Sequence, residues 1–62
     1  MKKRFAVYGI DGDLDRKKIE GLFLEQGFIK VIDSMFWGEE SKVISIAEQL
    51  EKEYILYGIC PI

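Results

Sequence analysis

Two stretches with helical spacing of apolar residues are each enclosed by strand-like segments, and this order constrains the fold most. "RFAVYGI", residues 4–10, is an apolar run bounded by charges and typical of a strand. The next stretch places Ile19, Leu22 and Phe23 on one helical stripe, which Gln26 completes. Gly27 stands where a helix of this length ends. The sequence therefore begins as a strand followed by an amphipathic helix.

The second half of the chain repeats this order. "FIKVIDSMFW", residues 28–37, is strand-like but longer than an ordinary strand, so it forms one long strand or bends at Asp33-Ser34 into two. "GEESKVISIAEQLEKE", residues 38–53, predicts a second helix with Glu39 and Glu40 near its N-terminus. Its apolar stripe consists of Val43, Ile46, Ala47 and Leu50. "YILYGICPI", residues 54–62, predicts a closing strand that Pro61 interrupts.

The resulting order is strand, helix, one or two strands, helix, strand, without a linker or a repeat. Right-handed crossovers put both helices on the same side of one sheet. If the middle segment splits, the arrangement is ferredoxin-like. We therefore predict a single compact α+β domain over residues 1–62.

Helices on one side leave the other side of the sheet uncovered. A 62-residue chain buries only about 60% of the surface that it exposes when unfolded, yet 48% of this chain is hydrophobic. Strand alternation supplies apolar groups to the uncovered face in either register: Phe5 and Val7, or Ala6, Tyr8 and Ile10. We expect this face to bind a protein partner or a second copy, most simply in a homodimer.

Charge and composition exclude several function classes. A net charge of −2, from 11 acidic and 9 basic residues, provides no strong field for nucleic acid, so we do not expect nucleic-acid binding. The chain has no histidine, so serine and cysteine nucleophiles lack their usual base and zinc sites of the Cys/His kind are excluded. The single cysteine, Cys60, fits a reducing compartment. No apolar run is long enough to cross a membrane, and we expect a cytoplasmic protein.

Three aspartates follow the first strand at a spacing of two residues. Asp11, Asp13 and Asp15 could converge on magnesium, which takes oxygen ligands, and Asp11 and Asp13 could then serve catalysis. Alternatively, Asp13 or Asp11 caps the helix and Asp15 favours its dipole, while Gly12 makes the turn. We favour the structural role, because the run matches no complete calcium or phosphate motif. We accordingly expect no cofactor and no catalytic residue.

Exposed aromatic and apolar side chains are the candidates for contact with a partner. Trp37 stands at a strand end before Gly38, where it can anchor an interface or cover the core. Leu14 and Leu24 fall on the side of the first helix opposite its core stripe. Together with the tyrosines of the strand regions, they make the predicted partner-binding set: Tyr8, Trp37, Tyr54, Tyr57, Leu14 and Leu24.

Residues 5–40 resemble the small CRISPR-associated ferredoxin-fold endonucleases of the spacer-adaptation complex. In that family a strand ending in Tyr-Asp-Ile precedes a polar loop and a helix with basic first turns, followed by a Gly-Phe strand start and a Ser-Val-Phe-x-Gly-Glu segment. The matching residues here are Tyr8, Ile10, Arg16, Lys17, "QGF" at 26–28 and "SMFWGE" at 34–39. The final "YGICPI" is similar to the family's closing strand.

The resemblance implies a ferredoxin-like fold, a metal-dependent nuclease activity and dimers that pair through their closing strands. However, the family's metal-binding aspartate falls on Gly9, and Asp11 is the nearest carboxylate. The expected function is therefore a non-catalytic interaction module, of the kind found among small regulators or inhibitors of phages and other mobile elements. The alternative is a metal-dependent nuclease acting on phosphodiesters with Asp11 and Asp13.

Overall fold

The computed structural model describes residues 1–55 and 57–62 and has the predicted order of elements. Strand β1 (Lys2–Tyr8) leads into helix α1 (Asp13–Glu25), and the hairpin of β2 (Ile29–Ile32) and β3 (Met35–Glu39) follows. A 3-10 turn (Glu40–Lys42) then precedes helix α2 (Val43–Lys52) and strand β4 (Gly58–Pro61).

The strands form one antiparallel sheet in the order β2-β3-β1-β4. Strand β1 lies between β3 and β4, although these follow it late in the chain. This order, with a helix in each crossover, confirms the predicted ferredoxin-like α+β fold.

The core lies between α1, α2 and one face of the sheet. Phe5 of β1 and Phe36 of β3 are register partners, so both project to the same face of the sheet, and both are buried in the core. The Phe23 ring of α1 stacks on Phe36 with centroids 4.4 Å apart, and Phe28 meets Phe23 edge-on at 5.0 Å. The buried core consists of Phe5, Val7, Ile19, Phe23, Phe28, Phe36, Ile46, Leu50 and Ile55. Both predicted helical stripes thus face the sheet.

The turns explain where the strands end. Gly9 has a φ of 73°, which an extended strand does not contain, so β1 ends at Tyr8 instead of the predicted Ile10. Asp33 and Ser34 form a tight turn in which Ser34 has a φ of 62°, and the middle segment therefore splits into β2 and β3. This decides between the two alternatives that the sequence left open.

The predicted cap of α1 is wrong. The N-cap residue is Gly12, with a φ of 94°, and no side chain among the described residues makes a capping hydrogen bond there. Asp13 and Asp15 instead lie within the first turn, where carboxylates interact favourably with the helix dipole. Asp11 precedes the cap.

The start of α2 also differs from the prediction. Glu39 belongs to β3, and its carboxylate accepts a hydrogen bond from the N-terminal amine of Met1. Glu40 lies in the 3-10 turn, where its carboxylate pairs with Lys3 Nζ at 2.8 Å. Neither glutamate lies in the first turn of α2.

Strand β4 is shorter than the predicted segment. Tyr54 adopts a φ of 57° directly after α2, so the chain turns there before it reaches the sheet. Ile55 then packs into the core. Leu56, which the predicted strand includes, lies outside the described residues.

Both edges of the sheet carry features that oppose pairing with another strand. On β4, Ile62 N–H donates to the Arg4 carbonyl at 2.9 Å. The adjacent pair, Phe5 and Pro61, therefore does not use a hydrogen bond from the proline nitrogen, which has no hydrogen to donate. On the opposite edge, the register between β2 and β3 shifts between Lys30 and Ile32. A bulge and an edge proline both weaken edge-to-edge association.

Candidate interaction surface

The face of the sheet turned away from α1 and α2 carries mostly apolar side chains. Because β1 alternates, its residues between Phe5 and Val7 point away from the core. Register partners share a face, which extends this set across the sheet. We call this surface the open face, and its members are Lys2, Arg4, Ala6, Tyr8, Ile29, Ile32, Met35, Trp37, Glu39, Gly58, Cys60 and Ile62.

The open face is organised in rows that run across the strands. One row contains Ile29, Trp37 and Arg4, and Ile62 continues it beside Arg4. The next row contains Ile32, Met35, Ala6 and Cys60. Ile29 is 58% exposed and Ile32 is 59% exposed, which is high for large aliphatic residues on neighbouring rows. The rows therefore form a continuous apolar surface.

Charges stand at one end of this surface. Lys2 Nζ lies 4.9 Å from the centroid of the Trp37 ring, a distance typical of a cation–π contact. Arg4 is the register partner of Trp37, and Lys2 is the register partner of Glu39. The open face thus combines two cations and one carboxylate with an exposed indole ring.

Tyr8 covers the other end of the open face. Its ring lies over Gly58, its register partner on β4, and a methyl group at Gly58 would come within 2.4 Å of the ring. Glycine at this position therefore allows the tyrosine to lie flat against the sheet. The phenol ring remains largely exposed.

Two of the six predicted partner-binding residues, Tyr8 and Trp37, share the open face. Tyr54 is 93% exposed but lies in the turn after α2. Tyr57 packs against the core, and its hydroxyl donates to Glu51 Oε1 at 3.4 Å. Burial, together with the nearby Glu51 carboxylate, raises the pKa of Tyr57 above its ordinary value.

Leu14 and Leu24 lie on α1, in the layer opposite the open face. Both are exposed. Ten residues of helix separate them, a rise of about 15 Å. They therefore belong neither to the open face nor to one compact patch with each other.

The structure does not gather the three aspartates into a metal site. Asp11, Asp13 and Asp15 run from the loop before Gly12 into the first turn of α1. Among residues 1–55 and 57–62, no three His, Cys, Asp or Glu side chains are arranged so that they could hold a metal ion.

A small cleft opens between the start of α1 and the Asp33–Ser34 turn. Val7, Ile19 and Phe36 form its floor, while Arg16 and Asp33 are among its polar neighbours. It encloses about 270 Å³ of space, open solvent included. Only about 20 Å³ of it can be occupied by the centre of a water molecule, so the cleft is far smaller than the usual ligand pocket.

Ion pairs link α1 to the end of α2 and to β2. Lys18 Nζ on α1 donates to Glu53 Oε1 at 2.6 Å, just beyond the end of α2. This hydrogen bond lowers the pKa of Glu53 and raises that of Lys18. Lys30 of β2 reaches Glu20 of α1 at 2.7 Å and Asp33 at 3.2 Å, and both hydrogen bonds raise its pKa. These ion pairs connect α1 with the segment after α2 and with β2.

The sequence patterns did not predict the contribution of β2 to the open face. Ile29 and Ile32 are three residues apart, so a strict alternation of two cannot place both on one face. The shift of register between Lys30 and Ile32 makes their shared orientation possible. The run "IKVI", rich in β-branched residues, was the sequence feature that could have indicated this contribution.

Within the part of the chain that the structure describes, neither helix combines the length and the apolar character that a bilayer crossing requires. The resemblance to the CRISPR-associated endonucleases stays a prediction. Comparisons with protein-family models, with curated proteins and with solved structures find no match to this chain.

Proposed function

We propose that this protein is a non-catalytic interaction module that self-associates through its open face. The observation that supports this most directly is the placement of α1 and α2 against one side of the sheet, which leaves large aliphatic and aromatic side chains exposed on the other. Contiguous exposed apolar surface is uncommon on monomeric proteins and is typical of interaction sites.

A second copy is the occupant that the open face suits best. The surface contains aliphatic rows, an indole ring, two cations and a carboxylate. Two copies can therefore form cation–carboxylate, cation–aromatic and apolar contacts with each other. One edge strand of the sheet, β2, contains a bulge, and the other, β4, contains Pro61. Both features favour face-to-face packing of two sheets over the addition of a strand at an edge. We place the protein in the cytoplasm, where the free Cys60 thiol stays reduced.

The expected association is weak. Four strands about 4.8 Å apart and about 17 Å long give a flat area on the order of 300 to 400 Å². The protruding side chains add to this area. Two such faces bury on the order of 1,000 Å², which is at the lower limit of specific interfaces. Interfaces at this lower limit are typical of weak or transient association, and we expect the same here.

Sedimentation equilibrium over a wide dilution range tests this proposal. We expect the mass to rise from 7.2 kDa toward twice that value with concentration. Ile29→Lys places a charge on the open face and should abolish the rise. Ile44→Lys is the matched control, because Ile44 is 66% exposed on α2, away from that face. A monomer at all concentrations, or equal effects of the two changes, would contradict the proposal.

A further inference from the structure

We infer that two copies pack open face to open face about a two-fold axis parallel to the strands and midway between β1 and β3. This inference rests on the proposed self-association and adds the identity of the residues that meet. It follows from the order of the strands and from the register on the open face.

An axis in this position exchanges β1 with β3 and β2 with β4. Each residue of β1 on the open face then faces the second copy of its own register partner on β3. The register pairs concerned are Lys2 with Glu39, Arg4 with Trp37, and Ala6 with Met35. The same pairs that lie side by side within one chain are thus repeated across the interface.

Each of these pairs is chemically complementary. Lys2 and Glu39 carry opposite charges. Arg4 stands opposite the Trp37 indole ring, which is a favourable partner for a guanidinium. Ala6 is small where Met35 is large and flexible, so the two surfaces can interlock. None of these three register pairs places like charges directly opposite each other.

The outer strands meet in the same way. Ile32 lies in the row of Met35 and Ala6 on β2, while Cys60 occupies that row on β4. The axis places Ile32 over Cys60 of the second copy, and Ile29 over Ile62 of the second copy. Both contacts are apolar, and they extend the interface to the edges of the sheet.

A second two-fold arrangement of these faces has its axis across the strands. Each strand then lies over its own copy, and the two apolar rows exchange places. Arg4 would face Ala6 of the second copy, and the guanidinium would gain no anion and no aromatic ring from that copy. Covering a charge that gains no partner across the interface is costly, which favours the axis parallel to the strands.

Thiol cross-linking with a short bismaleimide distinguishes the two arrangements. We expect Ile32→Cys to form a covalent dimer through Cys60 of the second copy, since Cys60 is a free, exposed thiol. The double variant Ile32→Cys with Cys60→Ser should not cross-link. Its two new thiols would lie on opposite sides of the axis, with a lateral separation of three strand spacings, about 14 Å. The unmodified chain should not cross-link either, for the same reason.

A second pair of variants keeps the test independent of Ile32. Chains with Ile29→Cys and chains with Ile62→Cys, both also carrying Cys60→Ser, should cross-link when mixed and not when kept separate. Sedimentation of each variant shows whether the dimer is still present.

The outcomes separate this inference from the proposed function. Cross-linking that persists in the Ile32→Cys and Cys60→Ser double variant would overturn the inferred axis. So would an uncross-linked mixture of variants that still sediments as a dimer. In either case self-association would stand. Sedimentation of the unmodified chain as a monomer would instead contradict the proposed function itself.

Discussion

The ring of Phe28 lies directly over Gly38, and a methyl group at Gly38 would come within 2.6 Å of that ring. Phe28 is buried in the segment between α1 and β2, and Gly38 is buried on β3. The glycine therefore makes room for an aromatic side chain that also meets Phe23 edge-on. This close approach, in which the main chain of β3 supports a core ring, explains why β3 contains a glycine in its interior.

Gly38→Ala should destabilise the domain, because the added methyl group displaces the Phe28 ring from the core. Overpacking of this kind costs about 1 to 3 kcal/mol. Gly21→Ala is the control, since Gly21 lies in α1 with no neighbour within 4 Å of an added methyl group. It should stabilise the helix by roughly 0.5 to 1 kcal/mol. Urea denaturation of both variants measures these opposite signs, and equal signs would contradict the argument.

Phe23→Ala and Leu50→Ala should each cost about 2 to 5 kcal/mol, because both side chains are fully buried between the helices and the sheet. A domain of this size has little stability to lose, so either change can prevent folding. Leu14→Ala, on the exposed side of α1, should leave the melting temperature nearly unchanged. Thermal melts followed by circular dichroism check this, and wild-type midpoints in the two core variants would show the core to be misplaced.

Gly12→Ala should destabilise the domain more than Asp13→Ala. Gly12 is the N-cap of α1 with a φ of 94° and a ψ of 156°, a conformation that side-chain-bearing residues adopt only with strain of about 1 to 3 kcal/mol. Asp13 makes no capping hydrogen bond and contributes through the helix dipole alone. Denaturation of the two variants at low ionic strength gives the comparison. A larger loss in Asp13→Ala would show that its carboxylate caps the helix in solution.

Millimolar magnesium or manganese should leave the melting temperature nearly unchanged. A metal that binds only the folded protein must stabilise it by mass action, and the structure does not gather Asp11, Asp13 and Asp15 into a group that could hold one. Differential scanning fluorimetry with and without the metal measures the effect. A rise of several degrees that Asp11→Ala abolishes, together with metal-dependent cleavage of RNA or DNA, would favour the nuclease alternative.

Stability should fall when the pH drops below the ordinary carboxyl pKa of 4.5. Hydrogen bonds from Lys18 and Lys3 hold the pKa values of Glu53 and Glu40 below that value in the folded protein. A lowered folded-state pKa contributes stability that is present above the unfolded pKa and is lost as the pH falls through the folded pKa. Melting temperatures from pH 7 to pH 3 test this. Lys18→Gln should reduce the decrease, and an unchanged pH profile in that variant would contradict the role of the pair.

The sequence predicted the helices well, because helix formation depends on residues three and four positions apart. Ile19 and Phe23 on α1, and Ile46 and Leu50 on α2, fall on stripes that local spacing defines, and all four are buried as expected. The ferredoxin-like order followed from the same local patterns and from the handedness of crossovers. The cap of α1 did not follow, since three aspartates and a glycine compete within five residues and the backbone conformation of Gly12 decides among them.

The composition of the open face depended on contacts between distant strands. A period of two divides β1 into Phe5 and Val7 on one side and Ala6 and Tyr8 on the other, but it does not say which side meets the helices. The stacking of Phe23 of α1 on Phe36, the register partner of Phe5, decides this. The shift between Lys30 and Ile32 likewise exists only relative to β3. Local patterns in the chain were enough to predict the elements and their order, because those depend on neighbouring residues. Which side chains the sheet leaves exposed depends on how distant strands pair, because register is a relation between strands.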